Sequence, residues 1–363
     1  MHVNRPTGRR ASIVALLVSC LLASCTVVGP NAIRSGRLAY NEAITETNNQ
    51  QILKMVIQSR YQETTNLLSV ASVTANVSVA TSAGIQAGFG DSSDYDGNLV
   101  PFSGGFIYEE NPTISYTPVA GATYMRRVMS PLPITSLAQI AGSMNNVNLY
   151  YQILVSSVNG IYNPDFLFAG ESDDPRFDRI VTIMSELTRA HRLHWAQDPQ
   201  RPGTFALVID QSEPQYAERV RELRELTGIP AKGRATNPDV IPVALAWHGI
   251  PAGGLGITTR SVLDLMEILA GAIDVPPADL ANGVAEQYPR PGRVGRALRV
   301  RYADAKPEQA YIAVEVHEGW YYIDSSDLMT KRFFRLLSSL FTSSMADATQ
   351  NSATPVLTVP VSR

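Results

Sequence analysis

The sequence predicts an α+β protein in which helices pack on short antiparallel sheets, organised as two or three subdomains. Three observations carry this. Apolar residues recur at helical spacing in segments such as Phe333, Leu336, Leu337, Leu340 and Phe341. Elsewhere they alternate with period two, most plainly over Leu67–Phe89 and in the β-rich runs between Ala297 and Ile323. Proline and glycine clusters at Ser130–Pro133 and around 229–240 break the chain between these patterned segments. With 45% hydrophobic residues in 363, the chain can bury substantial cores.

Residues 1–24 have the three parts of an export signal: Arg5, Arg9 and Arg10, then the apolar run Ile13–Ala23, then small residues before Cys25. The apolar run is shorter than the roughly 20 residues of a membrane span. Leu22-Ala23-Ser24-Cys25 resembles the lipobox of bacterial lipoproteins, which implies cleavage before Cys25 and lipidation of its thiol and new amine. Leu17-Val18-Ser19-Cys20 fits the same pattern, but cleavage there leaves about half the usual apolar length. An ordinary secretory signal with an incidental cysteine is the bland alternative. Arg9-Arg10 lacks the Phe-Leu pair expected of twin-arginine export.

Several acyl chains anchor far more firmly than one, because each buried methylene contributes about 0.8 kcal/mol. The mature chain is therefore expected to be held to a membrane by lipid at Cys25. Thr26, where an inner-membrane retention signal would place Asp, points to the periplasmic face of the outer membrane. Both cysteines lie at or before the cleavage site, so the body has neither disulfides nor a thiolate metal cage. Removing residues 1–24 takes away three Arg and no acid, moving the formal charge from −3 to −6, which argues against nucleic acid as a partner.

The first unit, 25–130, opens with a helical stretch from about Ile33 to Tyr61, whose continuity Asn48-Asn49-Gln50 weakens. In Leu67–Phe89, odd positions are mainly Val, Ala, Ile and Phe, and even positions from Ser72 mainly Ser, Thr, Asn, Gly and Gln. As one strand this would run about 75 Å, so it bends, breaks or does something unusual. One reading is a membrane-inserting hairpin that several copies pool into a shared barrel, returning through Phe106–Thr117. Pro112 and the Glu109-Glu110 pair count against that return limb. The other reading is two or three periplasmic strands packed on helices. Between the limbs, Asp91–Gly97 faintly resembles a calcium loop, but Ser92 and Ser103 stand where acids belong, so a solvated turn is expected.

The middle unit, 131–240, is expected to be mostly helical. Its helices run from Thr135 to Met144, from Val147 to Val158, from Asp178 to about His191 and from Tyr216 to Leu226, with a strand at Phe205–Ile209 and a linker over 229–240. The last unit, 241–363, places the turn Gly253–Gly256 and the caps Thr258–Ser261 before a helix from Val262 to Ile273. Strands follow at Ala297–Tyr302, Tyr311–Val316 and Trp320–Ile323, the last two closing over Glu318-Gly319. Asp324–Asp327 then caps the helix bearing the Phe333–Phe341 face, which needs the hairpin to cover it. Val356–Val361 adds a terminal strand that Pro360 assigns to an edge.

Candidate chemistry is sparse. His191 and His194 would share a helix face, but two ligands without the HExxH glutamate do not make a zinc site. The glycines at 253–256 lack the GxGxxG spacing of a dinucleotide site and the lysine of a P-loop. Gly-x-Ser-x-Gly does not occur, and no mature cysteine other than Cys25 offers a nucleophile. Asp173-Asp174, or Glu315 with Glu318, could do acid–base work, though such pairs commonly decorate solvated surfaces. Arg260 could bind an acidic partner or serve a structural role. No cofactor, metal or catalytic residue is assigned, and Cys25 is the one expected modification site.

Several motifs spread across the mature chain: Arg60-Tyr61 after an Asn/Gln-rich helix, Ile114–Pro118, Thr259-Arg260-Ser261, Gly319–Asp324 and Pro355–Pro360. In these the chain resembles a family of proteobacterial lipoproteins. The resemblance implies an intact lipoprotein and implies no activity. The expectation is a non-catalytic, lipid-anchored scaffold or accessory subunit of an envelope assembly, partnered by other envelope proteins or by itself. The alternatives are an oligomeric outer-membrane channel built on residues 67–89 and a periplasmic hydrolase.

Overall fold

The computed structural model describes residues 38–65, 67–74, 77–85, 102–110, 113–119, 122–143, 146–164, 174–197, 204–231, 237–288, 293–349 and 357–360. The signal segment, Cys25 and Asp91–Gly97 lie outside them. The protein is α+β, as the periodicities predict, and divides into two compact units. One takes residues from 1–48, 68–118 and 353–363, the other from 49–67 and 119–352.

A helix over residues 38–60, α1, runs unbroken through the Asn-rich middle. Its second half is tied down by burial: Ile52, Leu53, Met55, Val56 and Ile57 are each no more than 2% exposed. The apolar packing of this half outweighs the few tenths of a kcal/mol that each Asn costs a helix.

In the first unit the long alternating segment does break, into β1 (Leu67–Thr74) and β2 (Val77–Ile85). Among the described residues, the strand β2 pairs only with β3 (Phe102–Glu110), as a two-stranded ribbon. A second sheet has the order β1, β4 (Thr113–Val119), β14 (Leu357–Pro360). The expected return limb, Phe106–Thr117, is thus two strands in two sheets. The terminal strand lies at a sheet edge with Pro360 opposite Thr113, as its proline predicts.

The second unit is built on a six-stranded sheet ordered β6 (Ile161–Tyr162), β5 (Val155–Val158), β10 (Leu255–Thr259), β9 (Asp239–Leu245), β8 (Phe205–Ile209), β7 (Leu193–Gln197). The sheet is not purely antiparallel, since β9 and β10 run parallel. They overlap only at 243–245 against 255–257, so the chain needs little return path between them. The boundary expected near 240 falls inside β9, and the expected middle and last units share this one sheet. Helices of this unit include α2 (Ala122–Met129), α3 (Ile134–Ser143), α4 (Val147–Leu154), α5 (Arg176–Arg189), α6 (Pro214–Thr227) and α7 (Val262–Ala270).

The segment predicted as one helix from Val147 to Val158 changes conformation at Val155, which is extended. Pairing of Val155, Ser157 and Val158 with β10 overrides helix periodicity there, since β-branched residues suit a half-buried ladder. At the start of α7, Ser261 and Asp264 form a reciprocal capping box, satisfying two helix-end donors.

Two short helices, α8 (Pro277–Ala281) and α9 (Arg293–Arg296), lead to a three-stranded sheet ordered β11 (Arg301–Ala303), β13 (Gly319–Asp324), β12 (Ala310–Val316). The β12–β13 turn uses His317 and Glu318, both at positive φ, rather than Glu318-Gly319. Gly319 is required for space: a Cβ there would lie 2.2 Å from the Tyr302 ring. The helix α10 (Leu328–Thr349) starts at Asp327, whose carboxylate accepts from Thr330 N at 2.9 Å, and buries Phe333, Phe334, Leu337 and Phe341.

One buried ion pair closes the α6 side of the large sheet. Arg224 Nε and Nη2 donate to the two carboxylate oxygens of Asp239, each at 2.9 Å, and Nη1 donates to Pro230 O at 3.0 Å. Removing one partner strands the other charge in the interior. Asp239→Ala is expected to cost about 3–5 kcal/mol, read as a lowered midpoint in urea unfolding. A cost below about 1 kcal/mol would mean that this pair is solvated.

Candidate functional site

The β2–β3 ribbon is the candidate functional element. Its nine residue pairs run without a bulge from Val77↔Glu110 to Ile85↔Phe102. Directly opposed residues of an antiparallel pair share a face. One face therefore takes positions Val77, Val79, Thr81, Ala83, Ile85, Phe102, Gly104, Phe106, Tyr108 and Glu110. The other takes Ser78, Ala80, Ser82, Gly84, Ser103, Gly105, Ile107 and Glu109. The first face is mainly aliphatic and aromatic, with Thr81 and Gly104 among its positions and Glu110 in its last pair, and the second is built mainly of Ser, Ala and Gly. Nine residues at about 3.3 Å rise give some 30 Å, which a tilt near 40° reduces to about 23 Å, close to the 25 Å apolar band of a membrane barrel. The outer edges of β2 and β3 pair with no other strand among the described residues.

In the second unit, the residues after the buried half of α1 build a polar cluster that sequence reasoning did not assemble. Tyr61 OH donates to Asp279 Oδ2 at 2.6 Å and lies 2.6 Å from Tyr321 OH. With its one proton committed to Asp279, Tyr61 accepts from Tyr321. The rings of Tyr61 and Tyr321 meet edge to face, and Tyr302 packs on Tyr321 at 5.2 Å. Burial first, and the Asp279 hydrogen bond next, push the Tyr61 hydroxyl far above the usual phenol range.

Beside it, Glu267 accepts from both Ser59 and Tyr288, and Gln62 donates to Glu286. Arg60 is 6% exposed, with its guanidinium 4.4 Å over the Tyr288 ring. Its Nε and Nη1 find no hydrogen-bond acceptor, and burial lowers its pKa. Carboxylates outnumber this cation locally, so the cluster reads as a clamp holding α1 to the β13 sheet rather than as an anion site. Arg60-Tyr61 and Gly319–Asp324 stand out as motifs in the sequence, but nothing in local pattern brings them together.

The other candidates disperse. His191 lies beyond the end of α5 at positive φ and His194 on β7, so they share no helix face; His194 Nε2 lies 3.1 Å from His191 O. Among the described residues no group of three or more His, Cys, Asp or Glu could hold a metal ion. Asp173 lies outside the described residues, and Asp174 is occupied by Arg176. Glu315 and Glu318 are exposed on β12 and its turn. Arg260 is buried, and its Nη1 donates to Gln152 O and Ile153 O, both at 2.8 Å, capping the end of α4; its role is structural. A concavity of about 720 Å³ beside α6 is lined by Arg224 and Asp239, which engage each other. No helix among the described residues is long and apolar enough to cross a membrane.

The clamp makes a stability prediction with a pH signature. A hydroxyl whose pKa is raised on folding contributes fully below the unfolded value near 10 and loses that contribution as pH rises toward the folded value. Tyr61→Phe is expected to cost about 1–3 kcal/mol at pH 7 by chemical denaturation, with the gap from the parent narrowing above pH 10. An equal gap at both pH values would refute the clamp's titration. Comparison with protein-family models, curated proteins and solved structures finds no match to this chain.

Proposed function

We propose that this protein is a non-catalytic, lipid-anchored envelope lipoprotein whose copies pool their β2–β3 ribbons into an oligomeric outer-membrane channel. The observation that carries this reading is the ribbon: one apolar face, one small and mainly polar face, a membrane-matched length and two edges that pair with no other strand among the described residues. A lone two-stranded ribbon is marginal in water, and its free edges template pairing with like strands. In hydrocarbon only a closed barrel satisfies every backbone group, so ribbons entering a bilayer join edge to edge. Each copy contributes two strands, giving the even strand number usual in bacterial barrels. The anchor at Cys25 would hold each copy at the membrane surface before assembly.

The accessory-subunit reading has one observation in its favour. Trp247 is 70% exposed and stacks on His248, with Ile250 also exposed in the β9–β10 connection, an apolar tip suited to a protein partner.

Two experiments test the proposal. Val79→Lys and Phe106→Lys, on the apolar face, are expected to abolish detergent-resistant oligomers and membrane insertion, since each buried lysine costs about 2–4 kcal/mol at the bilayer midplane in every copy. Ser82→Lys on the other face, and Val73→Lys on β1, are expected to leave insertion intact. Equal tolerance of all four would end the channel reading. Separately, Cys25→Ser is expected to abolish incorporation of labelled palmitate; persistence of label in that variant would move the anchor to Cys20.

A further inference from the structure

We infer that the channel, if formed as proposed above, selects cations and neutral or basic solutes against anions, and that Glu109 sets this preference. The inference rests on the channel reading and deepens it. It starts from a compositional fact: the 65 residues Tyr61–Met125 contain no Lys or Arg, whereas the whole chain has 30, and they contain six acids. A fair share would be about five bases, so this segment concentrates negative charge without compensation.

The register then separates the two acids on the ribbon. Glu109 lies opposite Ser78 and is the one charged position on the small, polar face; Glu110 lies opposite Val77 on the apolar face, at its terminal pair. A barrel that turns its apolar face to lipid encloses the polar face. Rotational symmetry repeats one position at one height, so Glu109 from every copy forms a ring of carboxylates near one mouth, above walls built mainly of Ser, Ala and Gly, with Ile107 among them. Rings of Asp or Glu are how cation channels favour their ions. No basic residue in the same strands offsets that ring. The field of such a ring persists about 10 Å into the lumen at 0.1 M salt and about 30 Å at 0.01 M, so the preference strengthens as salt is diluted. Anionic polymers would meet a repulsive entrance.

The test is the reversal potential of the full-length lipidated protein, purified in detergent and inserted in a neutral planar bilayer, under a KCl gradient in the 10–100 mM range. The expected result is a K⁺ over Cl⁻ permeability ratio above one. Glu109→Gln should move the ratio toward one, and Glu109→Lys should take it below one. Glu110→Gln, one residue away on the other face, should leave it unchanged; native mass in the same detergent checks that every variant assembles. Conductance with no preference, with anion preference, or with equal sensitivity to Glu109→Gln and Glu110→Gln overturns the selectivity inference while leaving the channel standing. An absence of conductance from an assembled wild-type oligomer overturns the channel reading, and the selectivity inference with it.

Discussion

Two open edges of backbone are the constraint from which the functional reading follows. Each edge of the β2–β3 ribbon offers N–H and C=O groups that no described strand satisfies. In water those groups can hydrogen-bond solvent, at the cost of a ribbon that is marginal by itself. In hydrocarbon they cannot, and each unsatisfied group costs several kcal/mol. A ribbon with an apolar face that enters a bilayer, as proposed, meets that demand by closing edge to edge with copies of itself. In the sheet formed by β1, β4 and β14, one edge is a proline-bearing strand, a device that discourages further pairing on that side.

The second unit answers a different demand, which is rigidity. Its apolar α1 residues Ile52, Leu53, Met55, Val56 and Ile57 are almost wholly inaccessible, and the helix ends in the Arg60–Tyr61 clamp on Asp279, Tyr288 and Tyr321. Hydrophobic burial alone would let a helix rotate or slide. A hydroxyl that must meet a carboxylate and a second phenol fixes register, because a buried donor or acceptor left without a partner costs about 1–3 kcal/mol. Arg260 plays the same part elsewhere, tying the last carbonyls of α4 to the start of α7. These polar contacts join segments some 100 to 260 residues apart in sequence. That separation is why they are invisible to local pattern.

What the sequence made legible was local and strongly periodic. The α10 face, the Ser261 capping box region, the β12–β13 hairpin and the breaking of the 67–89 segment all follow from spacing and turn chemistry within a dozen residues. Two of the misreadings share a cause. Val155–Val158 continues an apolar helical pattern but is claimed by β10, whose residues lie a hundred positions away. The stretch at 229–240 reads as linker from its Pro, Gly and Ala content and does connect α6 to β9, but its end is overrun, since Asp239 is recruited into β9 by Ile209 on one side and Arg224 on the other. His191 and His194 match helical spacing only if the helix persists, and a left-handed residue at His191 ends it. In the first two cases a tertiary partner outweighed a propensity of a few tenths of a kcal/mol; in the third, local backbone conformation ended the helix.

The same distinction resolves the strongest sequence objection to a membrane ribbon. Glu109-Glu110 and Pro112 look prohibitive when the return limb is taken as Phe106–Thr117, because they then sit at its centre. Pairing moves the limb: β3 runs from Phe102 to Glu110, the acids occupy the last two of nine pairs, and Pro112 lies beyond the strand. At a ribbon's end a carboxylate reaches the headgroup region, where charge costs about 0–1 kcal/mol rather than its midplane penalty. Alternation then sends one acid to each face. A pair that reads in sequence as a defect in a lipid-facing strand becomes, by a shift of four residues in where the strand begins, a boundary marker for the apolar band and the source of charge at one mouth of the proposed barrel.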